Sequence, residues 1–158
     1  MQGQYGAVVE SPVGWLGIRC EGAVLTDLEI LARRPVGARP VAPGARAVVD
    51  ALRAYFRGDL GALDRLPVNP SGTPFQRRVW QRLREIPAGR TLSYGVLARE
   101  LGTSARAVGG ACRANPVPLA IPCHRVVAAT GLGGYSGARG GDWLEKKRWL
   151  LRHEEAAP

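Results

Sequence analysis

Ser93-Tyr94-Gly95-Val96-Leu97-Ala98-Arg99-Glu100-Leu101-Gly102-Thr103-Ser104-Ala105-Arg106-Ala107-Val108-Gly109-Gly110-Ala111-Cys112-Arg113 reads as two short helices joined by a tight turn. Ser93 suits an N-cap, because its hydroxyl oxygen can accept from a backbone N–H that the first helical turn leaves unpaired. Tyr94, Leu97, Ala98 and Leu101 then share one face, and Gly102 ends the element,. Thr103 or Ser104 caps the following helix. Helix, glycine-containing turn, helix is the sequence form of a helix-turn-helix. On the second helix Arg106, Gly109, Gly110 and Arg113 fall on one side, so two arginines bracket a patch without side chains,. Each mid-helix glycine costs about 1 kcal/mol against alanine, which implies close approach of something to that face. That something is either another helix of the chain or a nucleic-acid backbone, and the arginines favour the latter.

Upstream, Thr73 and Pro74 form a strong helix start, and Phe75, Val79, Leu83 and Ile86 make one apolar stripe,. Gln76, Arg77, Arg78, Gln81, Arg82 and Arg84 face away, until Pro87 and Gly89 stop the helix,. Pro67, Asn69, Pro70 and Gly72 place a linker over 66–72 and divide the chain into domains at 1–68 and 69–158,. In the first domain, Tyr5–Val9, Trp15–Arg19 and Val24–Leu31 are β-prone runs, the first two separated by Ser11-Pro12-Val13-Gly14,. They predict a small antiparallel sheet. Val48, Leu52, Tyr55 and Phe56 recur at helical spacing before Gly58, so a helix over 45–57 should cover it,. Downstream of the quoted stretch, Pro116, Pro118 and Pro122 impose an extended loop, and Val126-Val127 is β-prone,. A glycine-rich loop over 131–141 precedes a last helix capped by Asp142 and reaching Glu154. The class is α+β: a small sheet domain with a covering helix, then a mostly helical domain with a helix-turn-helix of the winged kind and an active-site loop.

The 158 residues are 46% hydrophobic and 22% charged, a globular composition, and no apolar run of about eighteen residues exists to cross a bilayer,. The N-terminal stretch lacks the basic, apolar and small-residue segments of a secretory signal, so a cytoplasmic location and no membrane partner are expected,. Cys20, Cys112 and Cys123 are odd in number and widely spaced, which argues for reduced thiols,. Charge is uneven. Residues 1–69 carry eight arginines against seven acids, whereas the remainder carries 14 basic residues against six acids. One half is therefore built for a polyanion.

A thiol with a pKa near about 8.5 is barely ionised at neutral pH, so a cysteine nucleophile needs a base or a cationic setting. Cys123 is followed by His124 and Arg125, and His153-Glu154 ends the last helix of the same domain. A bare Cys-His pair also fits a structural thiol beside a core histidine. Neighbouring side chains in extended backbone diverge, so contact from His124 to Cys123 through a bridging water is expected rather than a direct bond.

Ile121-Pro122-Cys123-His124-Arg125-Val126, with Arg106-Ala107-Val108-Gly109-Gly110 and Asn115-Pro116-Val117-Pro118 before it and Gly134-Tyr135-Ser136-Gly137 and Arg148-Trp149-Leu150-Leu151-Arg152-His153-Glu154 after it, closely resembles the O6-alkylguanine-DNA alkyltransferases. These are also called methylated-DNA-protein-cysteine methyltransferases. The likeness runs through nearly all of 73–154, while the first 70 residues match only as that family's variable N-terminal domain.

The resemblance implies a suicide reaction in which Cys123 thiolate displaces guanine from an alkyl carbon on O6, with O4-alkylthymine a further candidate substrate. It makes His124 the base, through a water, and Glu154 the residue that orients it. Arg106 matches the arginine that fills the place of an extruded nucleotide in duplex DNA bound through its minor groove, with Gly109 and Gly110 permitting close contact and Arg113 on phosphate. Tyr94 matches a tyrosine that rotates the target phosphate and donates a proton to the leaving guanine. Asn115 matches the residue tying the helix-turn-helix to the active-site loop. The carbonyls of Cys123 and Val126 match acceptors for the guanine amino group, and Ser136 a donor to O6, with Tyr135 beside it. No cofactor is implied. The zinc of some members needs Cys and His near the N-terminus, where this chain has only Cys20, so no metal is expected,. The protein should act as a monomer, with cooperative assembly along DNA an open alternative.

The turn before Arg106 is shorter than the family's usual form, and the stretch from Ala138 to Leu144 is longer. The competing function is a lesion-binding protein that flips and flags alkylated bases; such relatives commonly have Trp in place of the nucleophile, and this chain has Cys123. A major-groove regulator would need polar readers where Gly109 and Gly110 stand.

Overall fold

The computed structural model describes residues 5–37, 40–131 and 142–155. The chain forms two compact units, Met1–Ser71 with Pro116–Ala120, and Gly72–Asn115 with Ile121–Pro158. Together they are α+β.

In the first unit β1 (Ala7–Ser11), β2 (Gly14–Glu21) and β3 (Val24–Leu31) form an antiparallel sheet in that order. The first hairpin is tighter than the Ser-Pro signal suggests, because Ser11 pairs directly with Gly14 and Pro12 sits in the turn, where no ladder N–H is required,. Ser11 Oγ donates to the Gly14 carbonyl (2.7 Å) and accepts from Val13 N (3.2 Å). A Cβ at Gly14 would meet the Leu31 carbonyl at 2.7 Å, so that position requires glycine. A short 3-10 turn, Pro43–Ala45, leads into α1 (Arg46–Phe56), which buries Val48, Val49, Leu52 and Tyr55. Leu16, Ile18, Leu25 and Leu28 complete that core. The segment read as a linker is held at the sheet: Leu25 N donates to Pro67 O (3.0 Å) and Asn69 N to Leu25 O (2.9 Å). The chain also returns here late, with Leu28 N donating to Pro116 O (2.9 Å) and Val117, Leu119 and Ala120 buried.

The second unit starts with α2 (Pro74–Leu83), whose Thr73–Gln76 capping box is complete: Gln76 N donates to Thr73 Oγ1 (3.1 Å) and Thr73 N to Gln76 Oε1 (2.9 Å),. The helix ends at Leu83, short of the Ile86 that the apolar stripe includes. Its exit tightens through Glu85 N to Arg82 O and Ile86 N to Leu83 O, both 3.0 Å, and a 3-10 turn keeps residues three apart on one face, so Ile86 remains buried,. Trp80, outside that stripe, is buried too, and its Nε1 donates to the Ala111 carbonyl (2.8 Å).

β4 (Leu92–Ser93) leads directly into α3 (Tyr94–Leu101), capped by Ser93 and closed by Gly102 at φ 69°. α4 (Ala105–Arg113) is capped by Ser104, not Thr103. β5 (Val126–Val127) pairs parallel to β4 in the register Leu92 to Val126 and Ser93 to Val127. The last element is α5 (Trp143–His153). Asp142 stands at its N-cap position but makes no capping hydrogen bond, because its own backbone is already helical; its carboxylate meets Lys146 Nζ at 3.2 Å instead.

Trp80 Nε1 satisfies a carbonyl in the last turn of α4, where helical partners run out. Trp80→Phe should therefore lower unfolding stability by about 1–3 kcal/mol, read from urea titration. An unchanged midpoint would show that the indole bond contributes nothing net.

Candidate active site

Pro122 forbids a helical N–H bond at its own position, yet the residues after it do not run straight. Cys123–Arg125 closes as a 3-10 turn, with Cys123 N donating to Ile121 O (2.8 Å) and Arg125 N to Pro122 O (3.0 Å). The extended segment expected around the cysteine is thus a turn, and β5 begins immediately after it. Cys123, His124 and Arg125 are all buried.

His124 and Arg125 converge on Glu154, the C-cap residue of α5. His124 Nε2 lies 2.9 Å from Glu154 Oε2. Arg125 donates from Nε to Oε1 and from Nη2 to Oε2, each at 2.9 Å, and from Nη1 to the Ile86 carbonyl at 2.6 Å. The Glu154 side chain is 0% exposed. Burial pushes its carboxyl up, but the hydrogen bonds from His124 and Arg125, with the charge of the Arg125 guanidinium, hold it well below the usual carboxylate range,. For His124, burial pushes the imidazole down; Glu154 raises it, Arg125 and Lys147 oppose that, and the ring stays below the ordinary histidine value. We therefore read an ionised Glu154 beside a neutral His124. The other ring nitrogen, Nδ1, is buried with no hydrogen-bond partner among the described residues.

Two further groups fix the turn from either side. Asn115, just past α4, is buried and donates from Nδ2 to the Ile121 carbonyl (2.8 Å). Lys147 of α5 donates to the Val126 carbonyl (2.7 Å), with its Nζ 5.7 Å from the centroid of the Tyr94 ring. Burial lowers the Lys147 ammonium below the ordinary lysine value, an effect that charge on Cys123 and Cys112 offsets only in part. Tyr94 is half-buried at the start of α3, its hydroxyl oxygen inside.

Sequence reasoning missed Arg125 as a buried fork and Lys147 altogether. Each carried a signal. Arg125 interrupts the apolar run from Ile121 to Val127, and Lys147 lies on the stripe of Trp143, Leu150 and Leu151. A charge in such a position must find a partner or be excluded.

On α4, Arg106, Gly110 and Arg113 are exposed and Gly109 is half-buried. A Cβ at Gly109 or Gly110 meets nothing within 4 Å, so among the described residues no neighbouring helix accounts for these glycines. His153, the neighbour of Glu154, stacks on Trp149 with centroids 4.9 Å apart. Cys112 is buried in α4, and Cys20 lies half-buried in the first unit, where burial raises its thiol. Tyr135 and Ser136 lie outside the described residues. Among the described residues no three of His, Cys, Asp and Glu gather as a metal site, and no helix is long and apolar enough to cross a membrane.

A buried cysteine on a turn braced by a His–Glu–Arg cluster, beside a helix-turn-helix with a bare glycine face, marks a DNA-directed cysteine chemistry. The family model described as 6-O-methylguanine DNA methyltransferase, DNA binding domain, matches residues 74–156. A Shigella flexneri protein named methylated-DNA-protein-cysteine methyltransferase is 45% identical over 130 residues, 80% of this chain and 73% of its own length. A Thermus thermophilus protein named DNA base-flipping protein is 48% identical over 121 residues, 74% of this chain and 79% of its own. The crystal structure of Mycobacterium tuberculosis OGT in complex with DNA matches with a TM-score of 0.76 at 39% identity, covering 94% of this chain and 91% of that one. The chain belongs to the methylated-DNA-protein-cysteine methyltransferase family.

Because the folded state keeps His124 neutral below the ordinary value, the unfolded chain takes up that proton first as pH falls through about 6.5. Stability should drop on acidification below that point, by at most about 1.4 kcal/mol per pH unit for one proton. The chain has two histidines, so His124→Gln should flatten most of the slope between about pH 6.5 and 5 in urea titrations,. A slope that survives the substitution would place the proton uptake elsewhere.

Proposed function

We propose that this protein repairs DNA by moving the alkyl group of an O6-alkylguanine onto the sulfur of Cys123, once per molecule. The observation that carries this reading is the His124–Glu154 pair beside Cys123, with Nδ1 of the imidazole left as a bare buried acceptor. Through a water, Nδ1 takes the thiol proton; the thiolate attacks the alkyl carbon, the carbon–O6 bond breaks, and a thioether forms. The departing guanine is reprotonated from the Tyr94 hydroxyl, which recovers its proton from the imidazolium. A thioether does not hydrolyse under mild conditions, so the protein is consumed.

The substrate carbon lies inside a duplex, so the nucleotide must leave the stack, at a cost of a few kcal/mol. Arg106, exposed near the start of α4, fills the vacated place. Gly109 and Gly110 admit the minor-groove backbone, and Arg113 holds a phosphate. Asn115 fixes the loop through Ile121, and the carbonyls of Cys123 and Val126, with Tyr135 and Ser136, shape the purine pocket. Residues 1–68 act as a support domain and 69–158 as the DNA-binding and transfer domain. The protein works on DNA in the cytoplasm, as a monomer.

Intact mass after mixing with an oligonucleotide bearing one O6-methylguanine should rise by one methyl per chain, mapped to Cys123 and lost in Cys123→Ser. An unmodified protein bound to an untouched lesion would favour a base-flipping protein that only flags damage. Arg106→Ala should slow repair in duplex far more than reaction with free O6-benzylguanine; equal slowing removes the extrusion role.

Gly110→Ala separates fold from function. In an exposed helix interior it should stabilise the free protein by about 0.5–1 kcal/mol, while weakening DNA binding measured at fixed salt. Undiminished affinity would show that the glycine face does not touch the duplex.

A further inference from the structure

Resting on the reading of His124 as the base for Cys123, we propose that Arg125 is a positioning residue for that base: by occupying the Glu154 carboxylate as a fork, it keeps the imidazole neutral, protonated on Nε2 and bare on Nδ1. Arg125 is 3% exposed and uses all three nitrogens, two on Glu154 and one on the Ile86 carbonyl. The consequence is felt one residue away.

The tautomer follows from donor counting. An ionised carboxylate only accepts, so the ring nitrogen 2.9 Å from Glu154 Oε2 must carry hydrogen,. A neutral imidazole has one N–H, which leaves a lone pair on Nδ1. Charge counting then decides whether the ring stays neutral. Glu154 and Arg125 cancel within a cluster that excludes water. The groups acting on His124 are Glu154 and Lys147 from α5 and its end, and Arg125 from its own turn. Of the three charged neighbours only Glu154 favours an imidazolium, and Arg125 sits on the same two oxygens. Without the guanidinium, the Glu154 carboxylate would draw its positive charge from His124 instead. The pair would then hold a proton on both ring nitrogens at rest, leaving no acceptor for the thiol. A purely structural fork, by contrast, would brace the turn without altering ring protonation.

The test reads the ring directly and needs no DNA, so it is independent of whether Cys123 becomes alkylated. Long-range proton–nitrogen spectra of the full chain, with His153→Gln assigning the second histidine, report the protonation of each His124 nitrogen between about pH 5 and 9. The parent should show a neutral Nε2–H ring at neutral pH. Arg125→Lys, which keeps the charge, should leave the ring neutral there, whereas Arg125→Gln should raise its titration by about one to three units. A parent ring that is doubly protonated or carries its proton on Nδ1 at neutral pH overturns the proposal. So does an Arg125→Gln ring that titrates with that of Arg125→Lys. Should Arg125→Gln fail to fold, the parent and the lysine variant decide: a charged ring in the lysine variant at neutral pH shows that the charge is not what acts. A mass gain on Cys123 accompanying either overturning result would leave the transfer reading intact while removing the role of Arg125.

Discussion

A carboxylate with no exposed side-chain surface must be met by cations or hydrogen-bond donors, or it will not stay ionised. Glu154 is met by both, and the requirement organises the second unit. It joins the end of α5 to the Cys123–Arg125 turn, and through Arg125 to the Ile86 carbonyl beyond α2. Three separated stretches of chain converge because one buried anion needs them. Removing a single partner from such a cluster typically costs about 3–5 kcal/mol, since the remaining charge is left uncompensated. The group that closes the fold also holds the imidazole of the residue next to Cys123.

Around that cluster the turn is held by its backbone. Asn115 takes the Ile121 carbonyl and Lys147 the Val126 carbonyl, so the residues flanking Cys123 are fixed on either side. Side chains anchored in this way lose little more order when a substrate enters, which is how a preorganised site lowers a barrier. Helix α4 is arranged in the opposite manner. Gly109 and Gly110 leave open space, and Arg106 and Arg113 project from α4 without burial. One part of the unit is closed around a charge cluster and another lies open.

Local signals were legible where they concern short range. Thr73, Ser93, Ser104 and Gly102 mark the helix ends they occupy, because a cap is a matter of a few neighbouring atoms,. The sheet and its covering helix follow from period and turn residues alone. Asp142 shows the limit, since a capping residue type does not ensure a capping conformation. Long-range partners were illegible. Nothing in the spacing pairs Trp80 with Ala111, Arg125 with Glu154, or Pro116 with Leu28. Nor does chain order reveal that Pro116–Ala120 joins the first unit. Arg125 and Lys147 were visible only as anomalies within apolar patterns, signals that announce a buried charge without naming its partner. The 3-10 turn at Cys123 was hidden for a related reason: three prolines argue for extended chain, but the carbonyls of Ile121 and of Pro122 itself accept the hydrogen bonds that curl it.

The most direct measurement is the rate at which free O6-benzylguanine alkylates Glu154→Gln, in protein whose circular dichroism matches the parent. With DNA absent, only the thiol, its base and the group that holds that base contribute. A loss of about a hundredfold or more, the usual size of a general-base contribution, is expected if Glu154 makes His124 competent. A rate equal to the parent's would contradict it, and would leave the buried carboxylate a structural tie with no part in the chemistry.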